Sequence, residues 1–410
     1  MSKFLVGQIG IPRHSAVAKM LYEENLLDQF IVDTYFSKKS ILANLPVIGP
    51  KLVTNLKKYD PEFPSNMVRG DWYGALKFRN LLKKSKRIEA FKFANQRLGN
   101  RLINYAKNKK PGKYFGFDTT SLNFLEWSYD KGWENYLEQC VAPRSTQIRM
   151  WELFEKKYNI DYSGIIEYTR FQQEVERKEW QYAKHIIVPS EFVKSELMKE
   201  EGLDINKVHV INYGYTPLED KGVITQGIEE KFSGKTGNPI HILFAGNAGY
   251  RKGVADLVTL ATDLKDENLR FTIAGLLEEE AQKLINEYPY NNINFVGKLS
   301  REHLANQYMN SDIFFFPSYL EGSALVLIEA MSWGLPVVTT YQSGSVIKDE
   351  VDGFISESGD IESFKKNILK LASNAQLRYN MGMSALKASA SYSVENYGQN
   401  LLNLFTKDVK

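Results

Sequence analysis

Cysteine is almost absent from this chain. Cys140 is the only one in 410 residues, so no disulfide can close within it. Histidine is scarce too, with five scattered copies, which leaves little material for a structural zinc site. No run reaches the ~18 uninterrupted apolar residues that a membrane-spanning helix needs. The first ten residues are apolar only briefly before Pro12, Arg13 and His14. A secretory leader would need a longer apolar core and a small-residue cleavage site. With 43% hydrophobic and 25% charged residues, the composition excludes a disordered, collagenous or coiled-coil chain. The expectation is a cytosolic, metal-poor protein of about two domains.

What is present is a repeated strand–helix rhythm. Phe4 to Ile9 reads as a buried strand, followed by the loop Gly10-Ile11-Pro12-Arg13-His14, a helix from Ala16 to Leu27 and a strand from Gln29 to Thr34. Tyr114–Phe117 and His185–Val188 are further strands of this half, with a helix from Glu191 to Glu200 and a last strand over Lys207–Ile211. Residues 216–239 turn polar and glycine-rich, as a connection would. The rhythm then restarts, with strands at 240–245, 269–274, 293–296, 313–316 and 336–340. Helices are expected at 254–264, 278–287 and 324–333 between them. Such alternation implies α/β halves with parallel sheets, each binding ligand beyond the carboxyl ends of its strands. No glycine fingerprint of the dinucleotide type follows any strand, which disfavours a nicotinamide or flavin enzyme.

Charge is uneven. The net +3 hides thirteen Lys or Arg against the single acid Glu89 between Lys77 and Lys113, a local +12. Apolar residues interleave at near-helical spacing. One reading is a pair of amphipathic helices with a solvated basic face; the other is a face that rests on anionic lipid or holds an anionic acceptor. No DNA- or RNA-binding motif accompanies the charge, so nucleic acid is not expected as a partner.

The sharpest signal runs from Tyr319 to Pro336. Glu321 and Glu329 flank small and aliphatic residues, and Gly334 and Pro336 close the helix. A carboxylate at Glu329, on an otherwise apolar face, needs a partner, and a ligand hydroxyl would serve. Were the whole stretch helical, the two glutamates would stand ~12 Å apart, the reach from a ribose across a diphosphate to a sugar. The helix start near Ser323 and Ala324 would offer free N–H groups to phosphate. A core helix with two structurally paired glutamates is the plain alternative. The second signal, Gly246-Asn247-Ala248-Gly249-Tyr250-Arg251-Lys252-Gly253, follows the strand ending at Ala245. Its glycines permit close approach, and its two cations could clamp a diphosphate.

At these residues the sequence resembles the retaining nucleotide-sugar glycosyltransferases of family 4, of bacterial polysaccharide type. The resemblance is strong over roughly residues 185–395 and weak over 1–180. It implies an α/β GT-B fold, with two facing Rossmann-like domains and a cleft between them. The division it suggests is an acceptor-binding domain over 1–215, a linker over 216–238, a donor-binding domain over 239–385, and a C-terminal helix over 386–410 packing back on the first. Glu329 would take the ribose hydroxyls, Arg251 and Lys252 the diphosphate, and Glu321 would lie near the transferred sugar. Gly246, Lys298, Leu299, Gly322, Ser323, Ala324 and Leu325 would complete the donor site. The acceptor side is expected at Gly10, Arg13, His14 and Asp118, although Asp118 could equally cap the next helix and His14 bond its own loop. Implied throughout are retention of configuration, no metal and no cofactor. The partners would be a UDP- or GDP-sugar and a glycan or lipid-linked acceptor, met at the cytoplasmic face of an anionic membrane through residues 77–113. A nucleotide-sugar epimerase of the same fold and a non-catalytic membrane scaffold are the alternatives.

Overall fold

A computed structural model describes residues 2–9, 15–33, 64–217, 224 and 239–406. Gly10, Arg13 and His14, and most of the expected linker, lie outside the described residues. The chain forms two compact units, Met1–Val188 with Leu197–His209, and Pro189–Glu196 with Val210–Lys410.

The first unit holds a seven-stranded sheet. Its elements in chain order are β1 (Phe4–Gln8), α1 (Ser15–Glu23), β2 (Leu27–Val32), β3 (Val68–Arg69), α2 (Trp72–Lys83), α3 (Arg87–Ala106), β4 (Lys113–Phe117), α4 (Leu122–Ser128), β5 (Glu134–Glu138), α5 (Arg144–Tyr158), α6 (Ser163–Tyr182), β6 (His185–Val188) and β7 (Val208–Val210); the intervening α7 (Glu191–Leu197) belongs, but for Leu197, to the second unit. The strand order is β3-β2-β1-β4-β5-β6-β7, so the winding direction reverses between β1 and β4. Strands buried on both faces read as near-continuous apolar runs, and Phe4, Leu5, Val6, Tyr114 and Phe115 are all sequestered here. Helix α1 is shorter than its sequence suggests, because Leu27 already starts β2, two residues before Gln29.

The second unit follows the sequence reading closely. It contains β8 (Ile240–Ala245), α8 (Val254–Asp263), β9 (Leu269–Ala274), α9 (Glu279–Asn286), β10 (Ile293–Gly297), α10 (Arg301–Asn310), β11 (Ile313–Phe316), α11 (Leu325–Ser332), β12 (Val337–Thr340), β13 (Gly353–Ser356), α12 (Ile361–Ala372), α13 (Ala375–Ser389) and α14 (Val394–Thr406). The order β10-β9-β8-β11-β12-β13 reverses direction between β8 and β11, and neighbouring strands of this sheet pair in parallel throughout. Phe244, Phe271 and Phe314–Phe316 fill its core with Leu327 and Met331 of α11. Residues 386–406 fall in this unit; there Tyr397 of α14 packs edge-on against Tyr213, and Tyr215 N donates to Tyr392 O.

Candidate functional site

The reversal between β8 and β11 opens a crevice at the carboxyl edge of the second sheet, where such sheets bind ligands. The loops leaving these two strands carry the two motifs. After β8 the chain bends at Gly246, with φ of +144°, and its N–H donates to Ala274 O at 2.8 Å. A short turn over Tyr250–Lys252 then ends at Gly253, in the left-handed region at φ +75°. A Cβ at Gly253 would also strike the Pro317 carbonyl. Glycine is therefore what lets the loop after β8 lie against the loop after β11.

That contact assembles a charged knot. Arg251 Nη1 donates to Glu321 Oε1 at 2.8 Å and to Leu320 O at 2.7 Å. Lys252 Nζ reaches the same Glu321 oxygen at 2.7 Å. Ser318 Oγ donates towards Glu321 Oε1 at 3.1 Å and towards Arg251 O at 3.2 Å. Tyr319 N donates to Arg251 O at 2.9 Å, fixing the backbone of one loop on the other. Burial pushes the Glu321 carboxyl up, but Arg251 and Lys252 outweigh it and hold it below the ordinary carboxylate value. Burial pulls the Lys252 ammonium down, against the attraction of Glu321 and aided by repulsion from Arg251. Two cations thus share one carboxylate, with the Glu278 charge adding a further attraction on Lys252.

The helix begins later than the sequence suggests. α11 starts at Leu325, with Ala324 as its N-cap, so Glu321 lies in the loop and an all-helical span to Glu329 does not exist. Two neighbours shape this loop: Glu321 N donates to Gln342 O at 2.9 Å and Ala324 N to Ser343 O at 3.1 Å. Ser190 Oγ donates to Gly322 O at 2.6 Å, which gives the Val188-Pro189-Ser190 segment a structural role. Glu329 sits half-buried on α11, where Tyr215 Oη donates to Oε1 at 3.4 Å. Burial first, and then the Glu329 charge, raise both the Tyr215 and the Tyr308 phenols. Tyr215 escaped the sequence reading because its partner Glu329 lies 114 residues away along the chain, and Ser318, though only three residues from Glu321, because no motif marked it. Lys298 and Leu299 follow β10, two strands from the crevice in sheet order, the first exposed and the second half-buried.

On the first unit, Asp118 follows β4 but neither caps the next helix nor stands open. It is buried and accepts from Arg144 Nη2 at 2.6 Å and from Cys140 N at 3.1 Å. The N–H groups that precede α4 are held instead by Glu179 of α6, which accepts from Thr119 N at 2.6 Å and Ser121 N at 2.7 Å. Glu176, one helical turn earlier, accepts from Arg144 N at 2.6 Å. Sequence offered no sign of this cluster, since its members come from elements 26 to 60 residues apart. Among the described residues, no group of three or more His, Cys, Asp or Glu is placed to hold a metal ion, and no helix is long and apolar enough to cross a membrane.

Residues 226–388 fit the profile of the family described as glycosyl transferases group 1. The sulfoquinovosyl transferase of Arabidopsis thaliana is 25% identical over 50% of this chain and 41% of its own length. A capsular polysaccharide biosynthesis glycosyltransferase of Staphylococcus aureus is 27% identical over 50% of this chain and 56% of its own. The matches thus span about half the length of these relatives. Sucrose-phosphate synthase from Thermosynechococcus elongatus superposes with a TM-score of 0.67 over 100% of this chain and 99% of that one, at 14% identity. The chain therefore has the GT-B glycosyltransferase fold, built from two parallel-sheet Rossmann-like units, and its second unit carries the group 1 glycosyl transferase match.

Proposed function

We propose that this protein transfers a hexosyl group from a nucleoside-diphosphate sugar to a glycan or lipid-linked glycan, with retention of anomeric configuration. The observation that carries this reading is the convergence of Arg251, Lys252 and Glu321 at the β8/β11 reversal. Glycosyl transfer places negative charge on the departing diphosphate and positive charge on the anomeric carbon. Arg251, Lys252 and the N–H groups at the start of α11 meet the first need, in a site where burial strengthens each interaction. As the cations turn to phosphate, Glu321 is released towards the sugar. Glu329 takes the ribose hydroxyls, and Lys298 and Leu299 border the base. The preferred donor is a UDP-sugar, ahead of a GDP-sugar, and the reaction proceeds without a metal or other cofactor.

The test is a panel of nucleotide sugars screened by thermal shift, since a ligand that binds only the native state raises its apparent stability. Donors that stabilise are then offered with acceptors, and the product's anomeric configuration is read by NMR. Stabilisation by one nucleoside-diphosphate class, lost in Arg251→Ala, supports the assignment. Conversion of donor to its epimer without acceptor would overturn transfer as the reaction.

A further inference from the structure

Five described residues other than glycine have a positive φ: Asn25, Ser85, Thr119, Asn159 and Glu350. Four of them are exposed, in turns or at a helix end, where that conformation is ordinary. Thr119 is the exception. It is 6% exposed and β-branched, and at φ +61° its side chain crowds its own backbone. The surroundings hold it there. Thr119 N donates to the buried Glu179 at 2.6 Å, and Asn95 Nδ2 donates to Thr119 O at 2.5 Å. Asn95 holds that carbonyl while its own Oδ1 stays buried without a partner. A strained backbone and an unsatisfied acceptor thus meet at one loop. Such local costs, kept by everything around them, mark places that serve more than folding.

The loop is the one leaving β4, where the order of the first sheet reverses beside β1. Open sheets of this kind take ligands at that edge. Three consecutive residues here carry hydroxyls. Thr120 Oγ1 and Ser121 Oγ both donate to Phe117 O, at 3.0 and 2.9 Å. The Thr119 hydroxyl makes no hydrogen bond within the chain. It is also not one of the sealed, unpaired polar atoms of the described residues, so it keeps a path to solvent. The cations around this loop are engaged elsewhere. Arg144 is buried on Asp118, and Arg97 Nη2 donates to Asp71 Oδ1 at 2.9 Å. Arg101 donates to the carbonyls of Val32, Arg69 and Gly70 at 2.8, 2.9 and 2.8 Å. Lys92 lies over the Phe171 ring, 5.3 Å from its centre. The basic stretch leaves Lys83, Lys84 and Arg87 outside, at the end of α2 and the turn into α3. A neutral polyol suits this edge better than a carboxylate or a phosphate, because no free cation waits there to pair with an anion.

We propose that Thr119 is a positioning residue for the acceptor, its hydroxyl hydrogen-bonding a hydroxyl of a neutral sugar unit seated at the reversal of the first sheet. The left-handed backbone sets the direction of the side chain, and a threonine has few other rotamers to explore. Pinned by Glu179 on one side and Asn95 on the other, the group needs little further ordering when the sugar arrives. A hydroxyl both donates and accepts, so it can meet a sugar hydroxyl in either sense. That the bound sugar is an acceptor rests on the function proposed above.

Saturation-transfer NMR of the full chain, with UDP or GDP present, tests this against the methyl glycosides of glucose, galactose, mannose, N-acetylglucosamine and glucuronic acid. Wild type is expected to bind a neutral glycoside in preference to the glucuronide. Thr119→Ser should keep that affinity, whereas Thr119→Val and Thr119→Gly should each lose about three- to tenfold, the scale of one neutral hydrogen bond. Thr119→Gly should melt no lower than wild type, because glycine takes a positive φ without strain. A purely structural threonine would instead lose stability and affinity together. Wild type that binds no neutral glycoside or prefers the glucuronide, or Val and Gly variants that bind like wild type, overturns the proposal. Nucleoside-diphosphate titration of the same variants reads the donor site separately. Normal binding there with no Thr119 dependence of the glycosides refutes this role alone, while glycoside binding without any nucleoside-diphosphate binding refutes the donor reading.

Discussion

Lys252 Nζ lies 2.7 Å from Glu321 Oε1, the oxygen that Arg251 also holds, although the two motifs are about seventy residues apart in the chain. The carboxylate therefore occupies the cations that a diphosphate would use. Binding such a ligand exchanges one anion for another at the same donors, which keeps Arg251 and Lys252 oriented without leaving two like charges unopposed.

Arg251→Ala and Lys252→Ala should each lower turnover by about 2–4 kcal/mol of transition-state stabilisation, the scale of losing one preorganised donor. Folding should survive, because Tyr319 N and Ser318 Oγ hold the Arg251 carbonyl and not its guanidinium. Rates at saturating donor, alongside thermal melts, check both parts. Near-normal turnover in both variants would remove the loop from the mechanism.

The two glutamates should separate. Glu329→Ala should weaken binding of the bare nucleoside diphosphate as well as of the sugar donor. Glu321→Ala frees two cations, so it should bind the bare nucleoside diphosphate at least as tightly as wild type while turnover falls. Calorimetric titration decides. Loss of that binding in Glu321→Ala with retention in Glu329→Ala would mean the roles are reversed.

Asp118→Ala should destabilise the first unit by about 3–5 kcal/mol, because it strands the buried Arg144 without its closest partner. Urea denaturation measures this. A change below about 1 kcal/mol would match an exposed pair instead.

The same cluster predicts a pH dependence. Burial pushes the carboxyls of Glu176 and Glu179 up to about 8, despite the hydrogen bonds each accepts and, for Glu176, the Arg144 charge. A carboxyl raised in the native state binds more protons there than in the unfolded chain, so stability falls as pH climbs from about 4.5 towards 8. Glu321 acts the other way: its lowered value adds stability above the unfolded carboxylate value, lost only as pH drops through the folded one. Denaturation between pH 6 and about 8.5 should show a decline that Glu176→Gln flattens. A wild-type profile rising over that window would refute the assignment.

What the sequence determined by itself was local. The run Ile240–Ala245, the run Leu269–Ala274 and the phenylalanines of β11 were legible as strands because strands buried on both faces read as near-continuous apolar runs, broken here only at His241, Arg270 and Thr272. Glycines and cations after β8, and acids flanking an apolar helix after β11, were legible as motifs because each sits within a few residues of its neighbours. Only the tertiary structure decided what they touch. The strand order placed the two loops side by side at the reversal, and Gly253 allowed them to meet. It also showed α11 starting at Leu325, where the loop's bonds to Gln342 and Ser343 outcompete further helix. Asp118 took Arg144 as its partner, and the +12 stretch divided into cations the fold consumes and cations it leaves outside. Such pairings depend on through-space distance between elements tens of residues apart, and a linear pattern carries no record of that distance.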